Sequence, residues 1–280
     1  MAHATRSVLA LSLALAACGS SAVPTVENTQ FNPSLNVDLK SSTKAANGEY
    51  YRDLVPGTGA AATVGQPLGV HYTGWLADGT KFDSNVGGTV FAFLLGGGAV
   101  IAGWDQGFAG AQVGGTRQLI IPPALGYGAS GAGSIPPNAV LVFTVQIDFA
   151  QLATVETAQF NPSLNVDLAS STKAANGEYY RDLVAGTGAA VSTGQTLGVH
   201  YTGWLADGTK FDSNVGGAAF SFKLGGGQVI SGWDQGFAGA HVGGRRQLLI
   251  PPGLGYGLPG SSTIPPNAVL VFSVQIDSAQ

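Results

Sequence analysis

The sequence predicts an α+β protein built from two copies of one unit, each an antiparallel β-sheet that covers one short α-helix. Residues 71–85 return letter for letter as residues 200–214. Roughly four in five positions match between residues 26–151 and 155–280, a spacing typical of a duplicated domain rather than of a solenoid repeat. Within each copy, short strand-like runs are separated by glycine-rich turns, and a single run has helical spacing.

The strands of the first copy are predicted from short runs of β-branched, aromatic and aliphatic residues. Asp78-Gly79 follows one such run and is a strong signal for a hairpin turn. Phe91 and Phe93 lie two positions apart and therefore share one face of their strand. Residues 126–137 are rich in glycine and proline and are predicted to form a loop. The predicted strands are residues 49–55, 68–76, a return strand that begins at 81–82, and residues 91–94, 117–121 and 139–147.

The one helix is predicted where Ile101, Trp104 and Phe108 follow the i, i+3, i+7 spacing of a helix face. Gly103 and Gly107 lower its intrinsic propensity. Packing against the sheet must therefore hold this helix in place.

The composition describes a globular chain with no signature of nucleic-acid binding. Of 280 residues, 45% are hydrophobic and 10% charged, which is enough apolar content for a core and too little charge for a disordered chain. The net charge is −4 and there is no basic run, so no nucleic-acid partner is expected. The histidines lack the spacing of metal ligands, and no Gly-x-Ser-x-Gly motif occurs. We expect neither a metal nor a cofactor.

The first residues resemble a bacterial lipoprotein signal. Arg6 precedes an apolar run at residues 8–17 that is too short to span a bilayer, and small residues lead to Cys18, the single cysteine of the chain. We expect cleavage before Cys18 and its lipidation, with several acyl chains giving a stable anchor. An ordinary secretory signal cut near the same place is the alternative. Gly19 after the cysteine favours the outer membrane, where the protein would face the periplasm or the cell surface.

Domain boundaries follow from the repeat and from the composition of the segments between its copies. The segment before each copy is polar and mixed, yet Phe31, Leu35, Val37 and Leu39 could dock on a neighbouring domain. The predicted divisions are a signal peptide at 1–17, a lipidated N-terminus and tether at 18–47, a first domain at 48–149, a linker at 150–176 and a second domain at 177–280.

An aromatic set with a few polar groups is the candidate site. Core packing explains any one of these residues, but three features point to a ligand pocket. Phe82-Asp83 places a carboxylate beside an apolar residue, Tyr127 lies in a glycine-rich loop, and Trp104 lies on a weak helix. Small-ligand sites are typically apolar pockets with few convergent polar groups. The set in the first copy is Tyr72, Phe82, Asp83, Phe91, Val100, Ile101, Trp104, Tyr127 and Phe143.

Six short motifs follow one another along residues 48–148 and again along 177–277. In the first copy they are H-Y-T-G from His71, K-F-D-S from Lys81, V-I-A-G-W from Val100, L-G-Y-G from Leu125, I-P-P-N-A from Ile135 and L-V-F from Leu141. Each motif is weak alone, but the ordered set closely resembles the FKBP-type peptidyl-prolyl isomerases. The family fold, a bent antiparallel sheet wrapped around one short helix, agrees with the pattern described above.

The resemblance implies a role for each matching side chain. Asp83, Tyr127 and Ile101 would act on the substrate: Asp83 hydrogen-bonds within the site, Tyr127 offers its hydroxyl, and the backbone N–H of Ile101 bonds a ligand carbonyl. Trp104 would form the pocket floor. The walls and further apolar contacts would come from Tyr72, Phe82, Phe91, Phe93, Val100, Ile135 and Phe143.

The second copy offers the matching set. Its catalytic candidates are Asp212, Tyr256 and Ile230, and its binding candidates are Tyr201, Phe211, Phe220, Phe222, Val229, Trp233, Ile264 and Phe272. Two departures distinguish the copies. Ala99 corresponds to Gln228, and the loop at 129–134 differs from that at 258–263. We therefore expect that the two sites can differ in substrate preference.

The function implied by the resemblance is peptidyl-prolyl cis-trans isomerisation that assists protein folding in the bacterial cell envelope. The substrates would be Xaa-Pro segments of envelope proteins, and macrolides of the rapamycin class would be ligands. The alternative is a lipid-anchored proline-binding module or holdase chaperone in which isomerisation is incidental. A purely structural envelope protein is a third reading, but it gives no reason for the Phe82-Asp83 pair or for Tyr127 in its loop.

Overall fold

The computed structural model describes residues 23–280 and contains two antiparallel sheets of seven strands, one in each half of these residues. The first sheet holds β1 (Thr43–Lys44), β2 (Tyr50–Val55), β3 (Pro67–Leu76), β4 (Lys81–Ser84), β5 (Phe91–Leu94), β6 (Thr116–Ile121) and β7 (Leu141–Phe149). The second holds β8 (Thr172–Lys173), β9 (Tyr179–Val184), β10 (Thr196–Leu205), β11 (Lys210–Ser213), β12 (Phe220–Lys223), β13 (Arg245–Ile250) and β14 (Leu270–Ala279).

The two sheets have the same strand order. It is β1-β2-β6-β7-β3-β4 in the first sheet, with β5 also paired to β3, and the second sheet repeats this arrangement with the corresponding strands. Strand β3 is the longest of its sheet and pairs with β7, β4 and β5. One strand thus positions the residues that the other three carry. The predicted α+β fold is confirmed.

Each sheet packs against one short helix, α1 (Ala102–Gly107) in the first half and α2 (Ser231–Gly236) in the second. A β-carbon added at Gly103 would lie 2.6 Å from Cγ2 of Ile121 on β6. This glycine, unfavourable for an isolated helix, therefore lets α1 approach the sheet closely. Close packing compensates for the weak helix propensity that the sequence indicated.

The two faces of each sheet are both covered. On the helix side, Trp104 and Phe108 of the helical segment pack against Leu119 and Phe143 of the sheet. On the outer face, Val26 and Leu35 of the N-terminal segment are buried with side chains of the alternate strand positions, including Ile120 and Val142. The side chains alternate along β6 and β7, so one strand serves both layers. The second sheet has the corresponding two clusters.

The segment before each domain is held by more than apolar contacts. Asn32 donates its backbone N–H to the carbonyl of Ala77 at 2.8 Å and its side-chain Nδ2 to that of Asp78 at 2.7 Å, which ties it to the turn between β3 and β4. The expected docking of Phe31, Leu35, Val37 and Leu39 is confirmed. Residues of the predicted linker pack in the same way on the second sheet: Val155, Phe160, Leu164, Val166 and Leu168.

Two expectations from the sequence concern the membrane. The predicted signal peptide and the proposed lipidation of Cys18 lie outside the described residues. Among residues 23–280, no helix has the length and apolar character needed to cross a bilayer.

Candidate functional site

A cavity of about 390 Å³ opens between the helix α1 and the strands β3, β4, β5 and β7 of the first domain. Its volume falls in the range of small-molecule sites, and its walls are mostly aromatic and aliphatic. The lining residues are Tyr72, Phe82, Asp83, Phe91, Ala99, Val100, Ile101, Trp104, Tyr127 and Phe143. The set singled out in the sequence is thus brought together around one hollow.

Trp104 lies at the bottom of this hollow, where it is 4% exposed. Its ring meets the ring of Tyr72 edge-on, with centroids 4.9 Å apart, and that of Phe143 at 5.2 Å. Such edge-to-face pairs fix ring orientation more strictly than apolar burial alone. The indole Nε1 is buried and has no hydrogen-bond partner among the described residues. The floor of the cavity is therefore rigid, and its one polar atom is shielded from solvent.

Two further rings stand over Gly74 of β3. A β-carbon at this position would come within 2.7 Å of both Phe82 and Phe143, so only glycine leaves room for them. The two rings are T-shaped to each other with centroids 5.5 Å apart. The His-Tyr-Thr-Gly motif thus contributes to the site in two ways. Its tyrosine lines the cavity, and its glycine leaves the space that the rings of Phe82 and Phe143 occupy.

The carboxylate of Asp83 is fixed at the cavity wall. Its Oδ2 accepts a hydrogen bond from the hydroxyl of Tyr72 at 2.6 Å, and its Oδ1 accepts one from the backbone N–H of Ser84 at 2.8 Å. Burial and the adjacent Asp83 raise the pKa of Tyr72 well above its usual range. Tyr72 therefore remains a donor at physiological pH, and the pair acts as one polar unit in an apolar wall.

Two residues that line the cavity carry donor groups without partners in the described residues. The backbone N–H of Ile101, just before α1, takes part in no hydrogen bond, whereas its carbonyl accepts from Trp104 and Asp105 at 2.9 and 3.2 Å. Tyr127 is 39% exposed in the loop between two 3-10 helices, and its hydroxyl also has no partner there. Both groups can donate to a carbonyl oxygen of a bound ligand.

The segment leading into the helix is held by a residue that the sequence did not single out. Asp105 accepts hydrogen bonds from the backbone N–H groups of Gly96 and Gly98, at 2.9 and 2.8 Å. These bonds fix the loop that carries Ala99 and Val100 into the cavity wall. An acidic residue directly after the tryptophan of a short helix was the only available signal.

The second domain contains the corresponding cavity, of about 430 Å³. Tyr201 donates to Asp212 at 2.5 Å, and Trp233 meets Tyr201 and Phe272 at 4.9 and 5.3 Å. Burial and Asp212 likewise raise the pKa of Tyr201 well above its usual range. The lining residues are Tyr201, Phe211, Asp212, Phe220, Gly227, Gln228, Val229, Ile230, Trp233, Tyr256 and Phe272.

The family model of the FKBP-type peptidyl-prolyl cis-trans isomerase matches this sequence twice, over residues 59–148 and 188–277. The chain belongs to that family. It is 38% identical over 216 residues to peptidyl-prolyl cis-trans isomerase FKBP9 of Mus musculus, an alignment that covers 76% of this chain and 34% of that protein. It is 50% identical over 102 residues to the FK506-binding protein of Neisseria meningitidis, covering 36% of this chain and 94% of that protein.

Among solved structures, FkpA of Escherichia coli is 38% identical, with a TM-score of 0.38, over 40% of this chain and 52% of that chain. The FKBP-type chain described here spans about a third of the length of the first curated relatives that it matches.

Two pairs of residues predicted for the FKBP-type pocket do not line it in the structure. Phe93 and Phe222 are 4% and 2% exposed and lie in the core, where each packs against the tryptophan with ring centroids 5.7 and 5.5 Å apart. Ile135 and Ile264 are also buried in the core clusters. Phe93 and Phe222 therefore support the tryptophan floor from the core rather than contacting a ligand. Conversely, Gly227 lines the second cavity, although no sequence motif singles it out.

Within residues 23–280, no group of three or more His, Cys, Asp or Glu side chains is placed to hold a metal ion.

Proposed function

We propose that each of the two domains catalyses cis-trans isomerisation of Xaa-Pro peptide bonds. The observation that carries this proposal is an aromatic cavity whose lining includes donors without partners in the described residues. Trp104 provides a flat apolar floor for a proline ring, and the N–H of Ile101 and the hydroxyl of Tyr127 have no partners within residues 23–280. A proline-containing segment supplies both an apolar ring and the carbonyl oxygens that such donors require.

The chemistry is rotation about a bond with partial double-bond character, with a barrier of ~18–20 kcal/mol for peptide bonds in general. In the twisted transition state, resonance is lost, the carbonyl carries less negative charge and the nitrogen becomes pyramidal. Water stabilises the planar, polar ground state better than the twisted state. An apolar cavity therefore binds the twisted amide preferentially, and preferential binding of the transition state is catalysis. Rotation itself requires no nucleophile and no proton transfer.

The residues of the cavity have different roles in this isomerisation. The rings of Trp104, Phe82 and Phe143 exclude water around the proline and restrict its orientation. The N–H of Ile101 donates to a substrate carbonyl and holds one side of the rotating bond, and Tyr127 donates from the loop. The Asp83–Tyr72 pair keeps two strands in register at the wall and presents a fixed negative potential toward the amide.

We place this activity in the bacterial cell envelope, with Xaa-Pro segments of envelope proteins as substrates and rapamycin-class macrolides as competing ligands. Support comes from the N-terminal sequence, where an apolar run leads to Cys18. Uncatalysed exchange at Xaa-Pro bonds takes ~10–100 s at 25 °C and can limit folding. A catalyst anchored by lipid near newly exported chains would shorten that step.

A proline-binding or holdase role is a second candidate, and the presence of two equivalent cavities in one chain favours it. Two linked sites that both engage one client gain avidity through their effective concentration. This role uses the same cavities, so it can coexist with catalysis. Suppression of client aggregation by variants that no longer isomerise would separate the two.

The test is exchange spectroscopy of an Xaa-Pro peptide with the full chain, since this measurement needs no coupled protease. We expect accelerated exchange that a rapamycin-class macrolide inhibits. A variant with Phe82→Ala, Asp83→Ala, Phe211→Ala and Asp212→Ala should lose the acceleration. Val86→Ser, an exposed change outside the cavity, should keep it. Exchange at the uncatalysed rate with the folded wild-type chain would overturn the proposed activity.

A further inference from the structure

The two cavities are lined by nearly identical residues, so the few differences between them can be compared directly. Nine lining positions carry identical residues in both domains, from Tyr72 and Tyr201 to Phe143 and Phe272. The one side chain that differs is Ala99 in the first cavity and Gln228 in the second. A difference in substrate preference between the domains therefore arises at this position, at the rim around it, or in the loop that differs between residues 129–134 and 258–263.

Gln228 is held in one orientation by the backbone. Its side-chain Oε1 accepts a hydrogen bond from the N–H of Lys223 at 2.8 Å. Since the amide oxygen is engaged there, the amide NH₂ group is left to donate. Gln228 also lines the cavity, so this donor is available to a bound segment. Ala99 offers only a methyl group in the same place.

The rim, formed by positions 64 and 94 in the first domain and 193 and 223 in the second, lies beside the glycine loop and outside the lining residues, and it changes character in the same direction. Leu94 and Val64, which are 45% and 61% exposed in the first domain, correspond to Lys223 and Thr193 in the second. The glycine loop brings these positions together, because a β-carbon at Gly96 would meet Val64 and one at Gly97 would meet Leu94. The equivalent loop glycines of the second domain meet Thr193 and Lys223. Three adjacent positions are apolar in one domain and polar in the other.

The rims of the two domains differ in charge. Asp105 and Asp234 hold the loop in the two domains through equivalent hydrogen bonds, so they contribute equally to both. Lys223 adds one positive charge to the second domain and makes no ion pair within the described residues. The second rim is therefore more positive than the first and carries an additional amide donor.

We infer that the two domains divide the substrates, with Gln228 and Lys223 as the specificity-determining residues of the second. The first domain favours Xaa-Pro segments in which an apolar residue flanks the proline. The second domain favours segments with a flanking acceptor, and a carboxylate above all, because Gln228 donates to it and Lys223 attracts it. This inference rests on the proposed isomerase activity of both cavities.

The experiment uses full-length chains in which one site is silenced at a time. Phe82→Ala with Asp83→Ala silences the first site, and Phe211→Ala with Asp212→Ala silences the second. Exchange spectroscopy then gives kcat/KM for peptides that carry Glu, Gln or Leu before or after the proline. We expect the Glu-to-Leu ratio to be about three- to tenfold higher for the second site, the range of one net hydrogen bond to a partly exposed acceptor.

Exchanging the rims should exchange the preference. Leu94→Lys with Ala99→Gln in the first site should raise its Glu-to-Leu ratio, and Lys223→Leu with Gln228→Ala in the second should lower it. The contribution of Lys223 to the Glu-to-Leu ratio should weaken with added salt, whereas the contribution of Gln228 should not. Ser221→Ala is the matched control, because position 221 also differs between the copies and lies on the same strand as Lys223, but Lys223 rather than Ser221 is bonded to Gln228.

The possible results distinguish failure of the proposed isomerase activity from failure of the proposed division of substrates. If neither one-site chain accelerates exchange, the proposed isomerase activity fails. If both do so with equal Glu-to-Leu ratios, or if the rim exchange leaves the ratios unchanged, the division of substrates is overturned while the activity stands. Circular dichroism of each variant shows that a lost activity does not reflect unfolding.

Discussion

The hydroxyl of Tyr72 donates a 2.6 Å hydrogen bond to the Oδ2 of Asp83, which joins strands β3 and β4 at the cavity wall. The same bond recurs between Tyr201 and Asp212 at 2.5 Å. Each tyrosine also packs edge-on against the tryptophan of its floor. One side chain therefore connects the rigid apolar floor to the single carboxylate of the wall, and the position of that carboxylate depends on it.

We predict that Tyr72→Phe with Tyr201→Phe lowers kcat/KM by about tenfold, the scale of one hydrogen bond to a charged group. The aromatic rings remain, but within residues 23–280 each aspartate keeps only its bond to the following backbone N–H. Exchange spectroscopy measures the rate. Tyr50→Phe is the matched control, since it also removes a hydroxyl-to-carboxylate bond, to Glu27 at 2.9 Å, but on the outer face of the sheet. Equal losses in both variants would contradict a specific role for the pair.

A second prediction concerns the floor. Trp104→Leu should reduce the number of rapamycin-class macrolide molecules bound per chain from two to one, because the flat surface at the bottom of one cavity is lost. Adding Trp233→Leu should abolish binding. Isothermal titration calorimetry measures the stoichiometry. The loss of a buried indole also destabilises the domain, by less than the about 3–5 kcal/mol of a Trp→Ala truncation because leucine refills part of the space, so binding is measured well below the unfolding temperature.

Trp75→Leu provides the control for that experiment. Trp75 lies on the same strand as Tyr72 but packs on the outer face of the sheet with the N-terminal segment. Its replacement also removes an indole, yet two macrolide molecules should still bind. If it lowered the stoichiometry as Trp104→Leu does, the floor would have no special part in binding.

Most of the fold could be predicted from the sequence because the signals for its elements are local. Strand runs, the Asp78-Gly79 turn and the Ile101–Trp104–Phe108 spacing all act within a few residues, and the structure confirms the sheet and the short helix. The depth of a side chain is not local. Phe91 and Phe93 share a face and were both predicted to line the pocket, but Phe91 is 40% exposed at the cavity and Phe93 is buried behind Trp104.

Other features escaped prediction for the same reason. The two-residue strand β1 forms only because β2 lies beside it, and its own residues carry no strand pattern. The bonds from Asp105 to Gly96 and Gly98 depend on how a loop folds back over the helix. The aromatic members of the site were recognisable as residue types in an ordered set of motifs, whereas the groups that hold the backbone around them were not.

A third prediction tests how closely the helix must approach the sheet. Gly103→Ala should destabilise the first domain by about 1–3 kcal/mol, because the added methyl would lie 2.6 Å from Ile121. Gly253→Ala is the control: nothing lies within 4 Å of its added methyl, and the first copy carries Ala124 at that position. Thermal unfolding monitored by circular dichroism compares them. Similar losses in midpoint for both variants would contradict a role for the contact with Ile121.

The last prediction follows from a buried carboxyl group beneath each helix. Glu49 is fully buried, and neither of its oxygens has a hydrogen-bond partner in the described residues. Burial raises its pKa from 4.5 to about 8, although nearby polar groups, including the charge of Arg117, lower it in part. Glu178 has the same setting in the second domain, with a pKa also raised to about 8. Between pH 4.5 and 8 the folded domain therefore holds a proton that the unfolded chain has released.

The sign of the effect follows from that proton. A raised pKa in the folded state stabilises the domain fully below pH 4.5, and this stability is lost as pH rises toward 8, by at most about 1.4 kcal/mol per pH unit for one group. Glu49→Gln should remove this slope from the first domain only and raise its free energy of unfolding at pH 8 by on the order of a few kcal/mol. Hydrogen exchange of peptides from β6 and β13 reports each domain separately. Glu27→Gln is the control, because Lys44 holds the pKa of Glu27 at about 2 and that group does not titrate in the window. An unchanged slope in Glu49→Gln would show that Glu49 is ionised in the folded domain.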